Sequence, residues 1–175
     1  MLCNCKTNEH LVSNNNEKEV YKAIDGLLSY YYNKSNPYKK GSVIIIDSIL
    51  KFNKKDFKNA ILKFQGFKKH TDKIPKCADK IHNEFDFDDI FEHGNTVENR
   101  IWDIKKIIPM EAKMESITGL RIGDPYVSLS LPIFNKDFDV ALIKANLGST
   151  GEIIYFLIKS DGKWNFKCEL FLSHY

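Results

Sequence analysis

The chain has almost no arginine: Arg100 and Arg121 are the two arginines among 26 basic residues, against 23 acidic ones. Nucleic-acid recognition relies on the planar guanidinium group for paired hydrogen bonds to phosphate and guanine. A lysine-dominated chain with a net charge of +3 therefore lacks the electrostatic pattern that is typical of nucleic-acid-binding proteins. We expect no nucleic-acid partner.

Long apolar runs are also absent, because no stretch reaches the roughly 18 apolar residues that a membrane-spanning helix requires. The first residues, Met1 to Lys6, resemble the end of a lipoprotein signal without the charged and apolar regions that a secretory signal needs. We expect a cytoplasmic protein as the sequence is written. A periplasmic or membrane-anchored lipoprotein is the alternative if the true start lies upstream.

Motifs of common enzymes are missing as well. The glycine patterns of phosphate-binding and dinucleotide-binding loops do not occur, and neither does the Gly-x-Ser-x-Gly pattern of hydrolases. The four cysteines, Cys3, Cys5, Cys77 and Cys168, lack the spacing of a zinc site. We expect no cofactor and favour a non-catalytic protein, although the members of a catalytic triad can lie far apart in sequence.

One acidic segment, from Glu84 to His93, is a candidate metal site. It contains Asp86, Asp88, Asp89 and Glu92, but its spacing departs from that of calcium-binding loops. The stretch before it, residues 54–80, is rich in lysine. Charge runs are usually solvated surface, so the sequence predicts no metal here.

What the chain does contain is ample apolar side chain, with 43% hydrophobic residues in 175. This length and composition predict one domain over residues 16–175, after a polar tail at 1–15. We expect an α+β fold in which N-terminal helices pack on a curved antiparallel sheet that ends in a four-stranded meander.

Helical spacing of apolar residues predicts a first helix over 17–33, with Asn16 and Glu19 as its capping pair. Asn53 and Asp56 form a similar pair before a short helix over 54–65. A third helix is predicted over 96–108, and Pro109 ends it. The β-branched run at 42–50, which contains Asp47, predicts a buried strand.

Alternation with a period of two begins at Tyr126 and predicts the meander, with strands near 126–133, 140–146, 152–159 and 163–172. Asp161-Gly162 between the last two strands indicates a type I′ turn, which needs positive φ at both central residues. The register that follows pairs Lys159 with Trp164 and Leu157 with Phe166 on a continuous apolar face. The same register places Tyr155 opposite Cys168 and Ile153 opposite Leu170.

The opposite face of these strands is apolar on one strand and polar on the other, where Asn165, Lys167 and Glu169 lie. Such a face needs cover from a neighbouring element or from a partner. Ile154, Phe156, Ile158 and Lys167 are therefore the candidate binding residues, for another protein or for self-association. The short helix over 54–65 is the alternative cover.

The segment with Ser130-Leu-Pro-Ile-Phe-Asn-Lys-Asp137, Ala141-Leu-Ile143 and Gly162-Lys-Trp164 resembles a family of uncharacterised small Bacteroidetes proteins. That resemblance implies consecutive hairpins without a catalytic motif. The order of helices before a curved sheet is also similar to the cystatin-like superfamily, which includes nuclear transport factor two.

Two classes of function follow. The first is a non-catalytic binding module, of a toxin-neutralising (immunity-type) or envelope-associated kind. The alternative is a small-molecule-binding or hydrolytic cystatin-like cone, which needs a concave pocket with several convergent polar groups. Asp47 and Tyr155 are isolated candidates for such groups.

Overall fold

A computed structural model describes residues 7–34, 44–46, 49–68, 113–115, 126–146 and 151–173. The fold of this part is α+β. Its helices are α1 (Thr7–Lys34) and α2 (Lys54–Lys68). Its strands are β1 (Ile44–Ile46), β2 (Lys113–Glu115), β3 (Tyr126–Leu129), β4 (Ile133–Phe134), β5 (Val140–Asn146), β6 (Glu152–Ser160) and β7 (Lys163–Ser173).

The first helix is confirmed in type but begins earlier than predicted, at Thr7. No proline or glycine lies between Thr7 and Asn16 to end the helix there. The predicted capping role of Asn16 and Glu19 is wrong, because the backbone is already helical at both residues and Glu19 bonds to side chains of the sheet. The apolar stripe is confirmed, and its buried members are Val20, Ala23, Ile24, Leu27 and Leu28.

The strands form one sheet in the order β2, β1, β3, β5, β6, β7, with β4 paired to β5. β1 runs parallel to β2 and β3, whereas β3, β5, β6 and β7 pair antiparallel. The predicted meander is therefore confirmed. Its first strand is divided into β3 and β4 around Pro132, a residue that cannot donate a backbone hydrogen bond.

The turn between β6 and β7 has the predicted conformation. φ is 50° at Asp161 and 73° at Gly162, so both central residues are left-handed, as a type I′ turn requires. Ser160 pairs with Lys163 across this turn. The local sequence signal was therefore sufficient for both the turn and the first pairs of the hairpin.

Farther from the turn, the register changes. Leu157 pairs with Phe166, as predicted, but Phe156 then pairs with Cys168. Lys167 is thus an extra residue in β7, which is a β-bulge. Because side chains alternate along a strand, one extra residue moves every later side chain to the other face of the sheet.

The predicted pairs of Tyr155 with Cys168 and of Ile153 with Leu170 are therefore wrong. Tyr155 lies opposite Glu169 instead. Cys168 is buried as predicted, but on the face away from Trp164, and Leu170 lies on that same face. The bulge converts a half-polar sheet face into a continuous apolar one.

The sheet is covered on both faces by the chain's own helices. The core on the α1 side includes Ile24, Leu27, Ile45, Leu129, Ile143, Tyr155, Leu157 and Trp164. The core on the α2 side includes Phe57, Ala60, Leu142, Ile154, Phe156, Cys168, Leu170 and Leu172. The described part is thus a three-layer arrangement of helix, sheet and helix.

Several predictions lie outside the described residues. These are the helix over 96–108, the acidic segment from Glu84 to His93 and the position of Asp47.

Candidate functional site

The predicted binding face lies beneath α2. Ile154 is 0% exposed and Phe156 is 2% exposed, whereas Ile158 is half-buried and Lys167 is exposed. Ile154 and Phe156 are covered from inside the chain by α2, the helix that the sequence offered as the alternative cover, so neither is available to a partner. The four residues form no common surface, since the exposed Lys167 belongs to the bulge.

Contacts from α2 explain this burial. The ring of Phe57 meets the ring of Phe156 edge-on, with centroids 6.1 Å apart. Ala60 is completely buried on the same side of the helix, and Phe52 and Ile61 pack at the margin. Phe57 and Ala60 are three residues apart, so they lie on one face of the helix.

The N-terminus of α2 is capped as the sequence predicts. Asn53 Oδ1 accepts a hydrogen bond from the Asp56 backbone N–H at 3.0 Å. In return, the Asn53 backbone N–H donates to Asp56 Oδ2 at 3.4 Å. This reciprocal pair starts the helix and fixes the direction of the Asp56 carboxylate.

Asp56 also joins a charge cluster with Glu152 around the buried Lys144. Lys144 lies on β5 and its side chain is 8% exposed. Its Nζ is 3.2 Å from Asp56 Oδ2 and 3.3 Å from Glu152 Oε1. A lysine at such a position requires compensating charge, and the two carboxylates provide it. The cluster therefore connects α2 to the sheet electrostatically.

A second charge cluster connects α1 to the β6–β7 hairpin. Glu19 Oε2 accepts hydrogen bonds from Lys159 Nζ at 2.8 Å and from Trp164 Nε1 at 3.1 Å. Glu19 Oε1 accepts from Lys22 Nζ at 2.7 Å. The Lys159 ammonium also lies 5.6 Å from the centroid of the Trp164 ring, within cation–π range.

These contacts determine the ionisation of Glu19. Burial on its own raises the pKa of the carboxyl, but the hydrogen bonds from Lys159, Lys22 and Trp164 and the charge of Lys159 lower it from 4.5 to about 2. Glu19 is therefore ionised at neutral pH. A group with so low a pKa is a poor general acid or base there, and its contacts hold α1 against the hairpin.

Asp25 on α1 is different. Its Oδ1 is buried and has no hydrogen-bond partner among the residues that the structure describes. Burial raises the pKa of this carboxyl. A carboxylate oxygen that is buried without a partner costs stability, although the Asp25 side chain as a whole is half-buried.

The outer face of α2 carries an exposed leucine, Leu62. Leu62 is 65% exposed, more than any other large hydrophobic residue described. At about 100° per residue, Leu62 lies about 140° from Phe57 and about 160° from Ala60 around the helix. It therefore points away from the sheet. Lys55 and Lys58, also exposed, share this outer face.

Other predicted residues are part of the core. Trp164 is 5% exposed and packs against Phe134, which supports the core role that the sequence predicts. Tyr155 is 1% exposed within the α1-side core. In the ranges with described positions, no three His, Cys, Asp or Glu side chains cluster as metal ligands. Within the same ranges, no helix is long and apolar enough to cross a membrane.

Comparison of the chain with protein-family models, curated proteins and solved structures found no match. The geometry is thus the basis for any functional statement.

Sequence reasoning missed both charge clusters and the outward position of Leu62. A signal existed for Lys144, since it is the one charged residue inside the apolar strand Val140–Asn146. Its partner on α2 could not be found from sequence, because Asp56 lies 88 residues away. For Glu19, the sequence pattern indicates a capping residue and gives no sign of its contacts with Lys159 and Trp164. For Leu62, the signal was an apolar residue on the helix face opposite to Phe57.

Proposed function

We propose that this chain is a non-catalytic protein-binding module and that the outer face of α2, with Leu62, Lys55 and Lys58, is its binding surface. The exposure of Leu62 carries the proposal. A leucine that is 65% exposed contributes little buried apolar surface to the fold of the chain, but it can fill an apolar pocket of a partner.

The inner face of α2 supports this role. Phe57 and Ala60 pack on the sheet, Asp56 pairs with Lys144, and Asn53 caps the first turn. The helix is therefore held in place before a partner arrives. A preorganised surface loses less conformational entropy on binding than a flexible one.

The chemistry of the described charges also favours binding over catalysis. Glu19 and Lys144, the charged residues with the most extensive contacts, are used to attach the two helices to the sheet. The alternative of a small-molecule-binding or hydrolytic cone needs convergent polar groups around a pocket, and Tyr155 lies within the core instead.

A toxin-neutralising or envelope-associated role belongs to the same proposal, because both act through contacts between proteins. A toxin-like reading frame beside the gene favours the first role. A lipoprotein leader upstream of the present start favours the second.

Site-specific photo-crosslinking in the native host tests the proposal. A photoreactive amino acid replaces Leu62 in one variant and Lys18, which is exposed on α1, in the control. We expect a discrete crosslinked protein from position 62 and none from position 18. Excess wild-type protein should compete for this product, and a Leu62→Glu variant with an unchanged melting temperature should not. No product at 62, or the same product at both positions, would contradict the proposal.

A further inference from the structure

We infer that the partner is a protein that presents carboxylates beside an apolar pocket, an inference that rests on the proposed binding role of α2. The charge of the partner follows from the charges on the outer face of the helix. Lys51 lies just before α2, Lys55 and Lys58 lie on it, and all three are exposed.

Asp56, the acidic residue next to these lysines in sequence, points towards the sheet. Asp56 contacts Lys144 on the sheet side and pairs with Asn53, so it does not neutralise the outer lysines. Lys55 and Lys58 form no ion pair with any residue in the described part of the chain. Among the residues that the structure describes, the outer face therefore carries lysines without an ionic partner beside the exposed Leu62.

The spacing defines the complementary surface. With a rise of about 1.5 Å per residue, Lys58 lies about 6 Å and Lys55 about 10 Å from Leu62 along the helix axis. A matching partner places its acidic groups on one side of the pocket that receives Leu62. Charges at the edge of an interface mainly accelerate association and select among partners, whereas the apolar anchor contributes affinity.

Two other classes of anionic partner fit less well. A nucleic-acid backbone offers phosphates but no apolar pocket for Leu62. A helix that lies on a membrane inserts a broad apolar face, but Phe57 and Ala60 of α2 are buried against the sheet. Among its described side chains, α2 offers a membrane little more than Leu62.

Selection from a random peptide library displayed on phage tests this inference without a known partner. The purified full chain is the bait, and a Leu62→Ser variant is used to remove peptides that bind elsewhere. We expect the enriched peptides to combine an apolar residue with acidic neighbours. Their affinity should fall with increasing salt, because exposed charges are screened.

Charge reversal provides the matched comparison. Lys55→Glu/Lys58→Glu should weaken binding of the selected peptides about tenfold, which corresponds to about 1.4 kcal/mol, because two exposed charge pairs are replaced by repulsion. Lys18→Glu on α1 is the control and should leave affinity unchanged. Selected peptides without acidic residues would overturn the inference. So would tighter binding to phosphatidylserine vesicles or duplex DNA than to the peptides, with no dependence on Leu62.

The two proposals fail separately. If a protein crosslinks at position 62 but the selected peptides lack acidic residues, the binding role stands and the inference of an acidic partner is wrong. If no protein crosslinks at position 62 and no peptide is enriched in the selection, the binding role itself is wrong.

Discussion

Lys144 Nζ lies 3.2 Å from Asp56 Oδ2, across the boundary between the sheet and the helix that covers it. The lysine is 8% exposed and the carboxylate 26% exposed in their side chains. Glu152 approaches the same ammonium from β6 at 3.3 Å. One buried cation is thus shared between two elements that are distant in sequence, and its loss should weaken the attachment of α2.

Replacing Lys144 by methionine should therefore lower the free energy of unfolding by about 2 kcal/mol. This is less than the loss of a partner from a fully buried pair, because water can reach both remaining carboxylates. A double-mutant cycle with Asp56→Asn should give a coupling of about 1 kcal/mol in urea denaturation. Lys163→Met, at an exposed position, is the control. A coupling near zero would mean that the contact does not stabilise the fold.

Gly26 of α1 lies against the backbone of Trp164 on β7. A Cβ atom at this position would lie 2.5 Å from the backbone oxygen of Trp164 and 2.8 Å from its Cβ. Gly26→Ala should destabilise the protein by about 2 kcal/mol, although alanine is favoured over glycine in a helix by about 1 kcal/mol. Thermal unfolding of this variant beside Lys18→Ala, on the exposed side of α1, measures the difference. A stabilised Gly26→Ala variant would show that α1 can move away from β7.

The Glu19 cluster predicts a loss of stability in acid. The pKa of Glu19 is lowered in the folded state, so the folded protein binds this proton less readily than the unfolded chain. The contribution is complete above the ordinary value of 4.5 and is lost as the pH falls from there towards about 2. Urea denaturation between neutral pH and pH of about 3 should show this loss, and Glu19→Gln should reduce it. Equal pH dependence in both proteins would refute the role of Glu19.

Asp25 leads to the opposite expectation. Because burial raises the pKa of its carboxyl, the ionised form costs stability at neutral pH, and this cost disappears on protonation in acid. Asp25→Ala removes the charge and the unpaired Oδ1 together, and it should stabilise the protein by about 1 kcal/mol at neutral pH. Asp25→Asn, which keeps a polar group, should gain less. Destabilisation by Asp25→Ala would indicate that the carboxylate has a favourable role in the native protein.

The parts of the fold that the sequence predicted are those that depend on neighbouring residues. Asp161-Gly162 determines its turn through backbone conformation alone, and Asn53 with Asp56 caps α2 through contacts within one turn. The bulge at Lys167 depends instead on distant packing. It places Cys168 and later apolar residues under α2, and that benefit is invisible until the helix is placed.

The site was less predictable for the same reason. The exposure of Phe156 depends on which face of the sheet α2 covers, and helical spacing does not specify that choice. The outward position of Leu62 also depends on how α2 packs on the sheet. Local patterns thus identified the helix and the strands, but not the layer order that buries one predicted surface and exposes another.

Phe156→Glu tests this layer order directly. The ring is 2% exposed and meets Phe57 at 6.1 Å, so the substitution removes a packed aromatic side chain and buries a charge without a designated partner. Loss of the ring alone costs about 3 to 5 kcal/mol, and the buried carboxylate adds to that cost. The variant should therefore unfold or lose most of its stability in thermal denaturation followed by circular dichroism. Phe171→Glu places the same charge on a ring that is 44% exposed and should be tolerated much better. If Phe156→Glu stays as stable as Phe171→Glu, α2 does not cover this face, and the surface first expected from the sequence becomes the binding site in place of Leu62.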